Sequence, residues 1–550
     1  MKEHNLRGDR MRVRGVVTLA VTLGALVVTT TDAMARSLSA RATSDPAPLV
    51  QPSVSPIVWA PCSSSKLDPF ECAKLEVPKD YADPTGAKLT LSVIRKPALL
   101  KQSRLGAIFM NPGGPGGGVL DFIRGVADQP GFSDLNQRYD LVGFDPRGVG
   151  ESAPVSCLDD AQLDASFAKQ KPFPDLSARD ATVADATAYG LACAAKSGSL
   201  LPYVSTKNTA RDMDLVRQAI GEPRLTYLGF SYGTYLGATY AALFPHSIRA
   251  AVLDGAVNPD AYANRSFEAD LGQELAFDRA AKRFFAYCVT ECKFGHGHPA
   301  QAFDALIRRL QHAPLSSFRD SKRKVTAAVA QNGSITAMYS RSYWPFLGEA
   351  LQDAVEGDGS RLQLLADSYT GRDDKGHYDN SGPAYNSISC IDRTYSREIA
   401  EYDNFYRVAK RISKRFGSNF WQAEYNCAVW PAVANDRYTG PWTYSSANKV
   451  PILVVGTTHD PATPYRDAQA MTKELGNAVL LTMRGDGHTA FGGNSNCIDL
   501  TVIDFLLKRK VPRRGTVCTQ QVTPPEVTNR GLSSGQGLSY VSPGLARLLA

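Results

Sequence analysis

No segment after the first 35 residues is apolar for long enough to span a bilayer. The run nearest to one, Val16 to Val28, is thirteen residues broken by Thr and Gly, against the ~20 a transmembrane helix requires. Charge of one sign is scarce too: 61 Lys and Arg face 54 Asp and Glu, a formal +7 over 550 residues. So small an excess gives no electrostatic footprint for nucleic acid. There is no internal repeat, which excludes a solenoid. At 43% hydrophobic and 21% charged, the chain is too apolar to be disordered.

Several features are present. Arg10, Arg12 and Arg14 precede the Val16–Val28 run, and Ala33-Met34-Ala35 follows it. A positive start, a short apolar stretch and an A-x-A end describe a secretory signal peptide, removed after about Ala35, and predict a secreted protein. No Cys follows that site, so no lipid-modified N-terminus is expected. All ten cysteines (62, 72, 157, 193, 288, 292, 390, 427, 497 and 518) lie beyond it, and an exported chain with an even number favours disulfides over zinc. Sequential pairing, 62–72, 157–193, 288–292, 390–427 and 497–518, is the simplest arrangement. Cys288-x3-Cys292-x3-His296-x-His298 can be drawn as a zinc site, but its spacing is not that of a finger. No metal ligand and no cofactor are assigned.

Residues 36–56, rich in Ser, Ala and Pro, read as a disordered leader or propeptide. Lys88 to Arg95 alternates like a half-buried strand. Gly106–Met110, Tyr139–Phe144, Leu225–Gly229 and Ala250–Leu253 are short apolar runs closed by turn residues, and a helix capped near Thr209 runs to Gly221. Apolar strands alternating with helices indicate an α/β protein with a mostly parallel sheet covered on both faces. From about residue 261 to 448 the pattern turns helical, as in Glu268–Tyr287, Ala300–Gln311 and Arg397–Phe416. Val450–Gly456 and Ala478–Thr482 then resume the buried strands. The expected organisation is a core over 57–260 and 449–518, a helical cap over 261–448, and a mobile tail over 519–550.

Gly229-Phe-Ser231-Tyr-Gly233 sits between a predicted strand and a helix beginning at Tyr232. G-x-S-x-G in that context is the nucleophile elbow of α/β-hydrolases, whose tight turn needs small neighbours two residues either side of the serine. The order Ser, acid, His expected of that fold is met by Asp460, just after the Val450–Gly456 strand, and His488, in Gly485-Asp-Gly-His-Thr489. Asp486 and Asp254 are rivals for the acid, and His459 is read as a neighbour only. The oxyanion donors are expected at the Tyr232 N–H and in Asn111-Pro-Gly-Gly-Pro-Gly-Gly-Gly118, with Gly114 chosen over Gly113. That loop lacks the Gly-Lys-Ser/Thr ending of a nucleotide-binding loop.

Gly113-Gly-Pro-Gly116, Asp145-Pro-Arg-Gly-Val-Gly-Glu-Ser152, the elbow, Asp460 and Gly487-His488 together resemble the prolyl-aminopeptidase class of α/β-hydrolases. Within it the chain is most similar to secreted bacterial tripeptidyl aminopeptidases, over about residues 57 to 518. The resemblance implies an α/β-hydrolase fold interrupted by a large helical cap, with nucleophile Ser231, acid Asp460 and base His488. It also implies a peptide or protein substrate with a free N-terminus. Asn111-Pro112 replaces the usual His-Gly of prolyl aminopeptidases, which weakens a proline-specific reading more than a peptidase one. An unblocked N-terminus needs an anion. The candidates are Glu268, with Asp270 and Glu274 on the same helix, Asp392 beside Cys390, and Glu424 near Cys427. A secreted esterase or lipase and a catalytically silent envelope protein are the alternatives. Epoxide-hydrolase or dehalogenase chemistry is disfavoured by Ser at the elbow.

Overall fold

A computed structural model describes residues 54–63, 69–169, 176–416, 425–444, 450–521, 527–528 and 531–532. The expected signal peptide, nearly all of the leader, Glu424 and most of the tail lie outside the described residues.

One sheet of ten strands organises the core. Its strands are β1 (Ala60–Pro61), β2 (Glu71–Pro78), β3 (Lys88–Lys96), β4 (Gly106–Asn111), β5 (Tyr139–Phe144), β6 (Leu225–Phe230), β7 (Ile248–Asp254), β8 (Ile452–His459), β9 (Ala478–Asp486) and β10 (Val517–Thr519). They lie in the order β1-β2-β3-β5-β4-β6-β7-β8-β9-β10. β1, β2, β3 and β5 pair antiparallel in turn, and every pair from β5–β4 to β9–β10 is parallel. β4, β5 and β6 are buried at every position because helices cover both faces. Along β4, Ala107 and Phe109 join one apolar cluster while Ile108 and Met110 join another, the two-residue period dividing side chains between the faces.

The alternation read in β3 holds only at its start. Ser92 is buried because its N–H donates to Ser152 Oγ (2.8 Å) and its hydroxyl to the Glu151 carbonyl (3.0 Å). The helix placed near Thr209 runs Thr206–Ala219 and is capped by Ser205, whose side chain accepts from the Asn208 N–H. Ser at the N-cap satisfies a donor that the helix cannot. Two helices left unassigned by sequence, Asp160–Ala168 and Leu176–Ser197, lie between β5 and β6.

Between β7 and β8 the chain is helical, including Ser266–Glu291, Pro299–His312, Ala327–Met338, Ser381–Asp392 and Ile399–Ile412. These helices carry an apolar cluster of their own, around Phe284, Trp344 and Leu351. The pair between β5 and β6 is tied to them by Arg372–Asp164 (2.9 Å) and Arg179–Asp403 (2.8 Å). All five disulfides follow the sequential pairing. Cys288 and Cys292 are joined to each other, which takes both thiols out of the zinc arrangement. Among the described residues no helix is long and apolar enough to cross a membrane.

Candidate active site

Ser231 follows β6 and caps the helix Tyr232–Leu243, with φ +55° and ψ −126°. A non-glycine residue at positive φ is strained and needs the surroundings to hold it. The Ser231 N–H donates to the Asp254 carbonyl (2.9 Å), and its carbonyl accepts from the Thr234 N–H (2.8 Å) and hydroxyl (2.6 Å). Its flanking glycines are required by close approach: a Cβ on Gly229 would sit 2.6 Å from the Gly233 carbonyl, and one on Gly233 2.7 Å from the Asn111 carbonyl.

His488 lies in the loop after β9 and Asp460 just past the end of β8. Both are buried, at 1% and 3% exposure. His488 Nδ1 is 3.0 and 2.9 Å from the two Asp460 oxygens. The carboxylate also accepts from the N–H groups of Ala462 (2.8 Å) and Thr463 (2.9 Å) and from the Thr463 hydroxyl (3.1 Å). An acceptor at Nδ1 places the ring proton there and leaves the Nε2 lone pair free. Nε2 is buried and has no hydrogen-bond partner among the described residues. Unpaired buried polar atoms are rare and cost about 1–3 kcal/mol. His488 and Ser231 line the same cavity, of about 1930 Å³.

Neither rival acid bonds the histidine. Asp254 accepts from the N–H groups of Ala490 (3.0 Å) and Phe491 (2.8 Å). Burial pushes its carboxyl up to about 7 against the lowering effect of those two donors. Asp486 pairs with Arg283 and with Arg341 (2.8 Å). Burial opposes its charge, but hydrogen bonds from the two guanidiniums hold the carboxyl below its usual range. His459 is exposed.

The Asn111–Gly118 loop lies against the elbow. A Cβ on Gly113 would meet the Phe230 carbonyl at 2.5 Å and the Tyr232 nitrogen at 3.0 Å, and Gly113 has φ +98°. Only glycine allows both the approach and the dihedral. The Gly113 N–H is taken by Asn111 Oδ1 (3.0 Å). Gly114 and Tyr232 both line the cavity beside Ser231. Tyr232 is the first residue of its helix, so its N–H has no acceptor within the helix.

Of the amine-anchor candidates, Asp270 lines the cavity, whereas Glu268 and Asp392 do not. Glu268 is exposed, off the wall and paired with Arg265. Asp392 is also off the wall, its carboxylate accepting from the Thr206 N–H (2.9 Å) and hydroxyl (2.5 Å), and burial pushes it up to about 7. Glu424 is outside the described residues. Glu268 and Asp392 miss the wall because charge alone does not tell which face of a helix looks inward. Asp270, a candidate from the sequence, and Asp467 are both on the wall that includes Ser231. Asp270 accepts from Arg393 (2.5 Å) and the Tyr395 hydroxyl (2.9 Å). Asp467, missed by sequence, sits in the first turn of the helix Tyr465–Leu475, and burial pushes it up to about 7 against Arg466, 3.7 Å away. Its one signal was its position in the helix that starts straight after the Asp460 loop.

The cap also holds the His488 loop. The His488 N–H donates to the Tyr339 carbonyl (2.7 Å), Ser340 bridges Gly487, and the Tyr339 ring meets the imidazole edge-on with centroids 5.5 Å apart. Arg283 and Arg341, which clamp Asp486 two residues before His488, belong to cap elements. Asp486→Asn is therefore expected to lower kcat about tenfold with a smaller change in KM, since small displacements of a reacting group are costly. Steady-state kinetics on one peptide substrate reads this out; an unchanged kcat would leave the clamp a purely structural contact.

Comparison with known proteins gives the chain's family. Residues 106–290 match the family model described as alpha/beta hydrolase fold, and residues 413–518 the one described as TAP-like protein. The chain is 36% identical over 485 residues to serine protease Hip1 of Mycobacterium tuberculosis, covering 84% of this chain and 91% of that protein. It is 34% identical over 491 residues to carboxylesterase B of the same organism (86% and 91% covered). It is 31% identical over 482 residues to tripeptidyl aminopeptidase of Streptomyces lividans (85% and 87% covered). The chain belongs to this peptidase family of α/β-hydrolases and is a serine hydrolase.

Proposed function

We propose that the protein is an exported serine exopeptidase that releases short peptides, tripeptides foremost, from free N-termini through an acyl-enzyme. The observation that carries this reading is the imidazole of His488, bound to Asp460 at Nδ1 and unpartnered at Nε2, on the wall it shares with Ser231. Ser231 Oγ attacks the scissile carbonyl while His488 Nε2 takes its proton, and Asp460 stabilises the imidazolium that forms. The tetrahedral oxyanion accepts from the N–H groups of Tyr232 and Gly114, the Gly113 N–H being occupied by Asn111. His488 then protonates the leaving amine. A water activated by the same imidazole hydrolyses the ester and frees Ser231.

The substrate's ammonium group is met by Asp467, whose neighbour Arg466 is more than half exposed, whereas Asp270 is already neutralised by Arg393. The relative named tripeptidyl aminopeptidase supports the length of the released piece. Export is supported by the signal-like N-terminus and by five disulfides, which persist in oxidising compartments.

A tripeptide anilide tests the reading. N-acetylation is expected to lower kcat/KM about 100-fold, because it removes the charge that a buried carboxylate pairs with, a contact of about 2–5 kcal/mol when truncated. If acetylation makes no difference, or only a short-chain nitrophenyl ester reacts, the esterase reading takes over, as the carboxylesterase-named relative would favour.

A further inference from the structure

The charges on the cavity wall are unevenly spread. Three opposite pairs neutralise one another there: Lys169 with Asp185, Arg415 with Asp304 (2.8 Å), and Arg393 with Asp270 (2.5 Å). Asp379, also on the wall, is taken by the Ser381 N–H (3.0 Å) and hydroxyl. The charges that remain divide by depth. Asp467 stands at the buried end with Ser231 and His488, its side chain 18% exposed. Arg308, His312 and Lys414 form the exposed part of the wall, and their side chains make no ion pair or hydrogen bond among the described residues.

These three basic residues come from two separate segments. Arg308 and His312 lie on the helix Pro299–His312, and Lys414 just beyond the helix Ile399–Ile412. A helix C-terminus favours positive charge by about 0.3–1 kcal/mol, which accounts for His312, in the last turn of its helix, in isolation. It does not account for two separate segments placing basic residues on one cavity wall, where Asp304 is paired with Arg415.

We propose that Arg308, His312 and Lys414 form a subsite for a carboxylate on the leaving segment of the substrate. The enzyme then favours peptides in which Asp, Glu or a free α-carboxylate follows closely after the cleaved bond. This rests on the peptidase reading above. Such a subsite requires that, with the ammonium group at Asp467, the chain beyond the scissile bond run along the same wall to these exposed residues.

The test uses free-amine peptides sharing a neutral first tripeptide, followed by Glu, Gln or Lys residues and a C-terminal amide. The Gln peptide is also made with a free C-terminus, so that side-chain and terminal carboxylates are told apart. The tripeptide anilide, whose leaving group is uncharged, is the reference. Exposed pairs contribute about 0.2–1 kcal/mol each, so the two fixed cations Arg308 and Lys414 are expected to favour Glu over Gln about fivefold in kcat/KM, and Gln over Lys. The preference should shrink as ionic strength rises from about 0.05 to about 0.5 M. R308E/K414E is expected to reverse the order while leaving anilide turnover within about twofold, and R308Q/K414Q to level it. If the wild type treats Glu, Gln and Lys alike, or either variant keeps the Glu preference, the subsite does not exist. If the wild type leaves the anilide intact, it is the peptidase reading that fails, and this proposal with it.

Discussion

Ser231→Ala is expected to lower hydrolysis of a tripeptide anilide by about 10⁴-fold or more, with thermal stability nearly unchanged. Removing the nucleophile of a Ser–His–Asp unit leaves only what the oxyanion hole and binding contribute, so the loss is of the order seen when the whole unit is removed. Stability should hold because alanine keeps the strained backbone at φ +55° with the same Cβ. The hydrogen bonds anchoring the residue are all made by its main chain. The measurement is single-turnover and steady-state kinetics beside a melting curve. Turnover near the wild-type rate in a folded Ser231→Ala protein would remove Ser231 as nucleophile and leave the elbow a structural turn.

Asp460→Asn should reduce kcat about 10⁴-fold, chiefly because an amide can hold His488 in the wrong tautomer. A carboxylate accepts from both the imidazole and the loop donors of Ala462 and Thr463. The amide can keep the loop donors on its oxygen only by turning its NH2 toward Nδ1, which then must accept, and the proton moves to Nε2. Asp254→Asn is the control. With its carboxyl near 7 by burial, Asp254 is already protonated in most molecules below that pH, so the neutral amide is expected to change kcat less than about tenfold. A pH series between about 5 and 8 for both variants separates them. Were Asp254→Asn the crippled variant and Asp460→Asn the mild one, the acid would have to be reassigned.

Much of this was local and therefore readable. A G-x-S-x-G between an apolar run and a helix states its own geometry, because the two glycines are demanded by contacts within the same turn and with the neighbouring strand. The order Ser231, Asp460, His488 was an expectation of the fold and the disulfide pairing only the simplest arrangement, whereas the buried strands came from the same kind of short-range pattern. The carboxylates of the cap did not. Glu268 and Asp270 are two residues apart on one helix, yet the first is exposed beside Arg265 and the second faces the cavity beside Arg393. Helical spacing separates their directions, but only the neighbours decide which direction is inward. Asp392, beside Cys390, is held firmly by Thr206 but does not reach the wall.

The hydrolase core, the elbow and a short set of candidates for the chemistry were legible in the chain alone, because strand burial and turn strain are set by residues near one another in it. Only the tertiary structure decided that Asp460 rather than Asp254 reaches His488, and that the cap grips the His488 loop through Tyr339, Arg283 and Arg341. It also decided that Asp467 and the basic residues Arg308, His312 and Lys414 share one cavity. Those are meetings between segments tens to hundreds of residues apart. They depend on how whole helices are turned against the sheet, which no periodicity along the chain records.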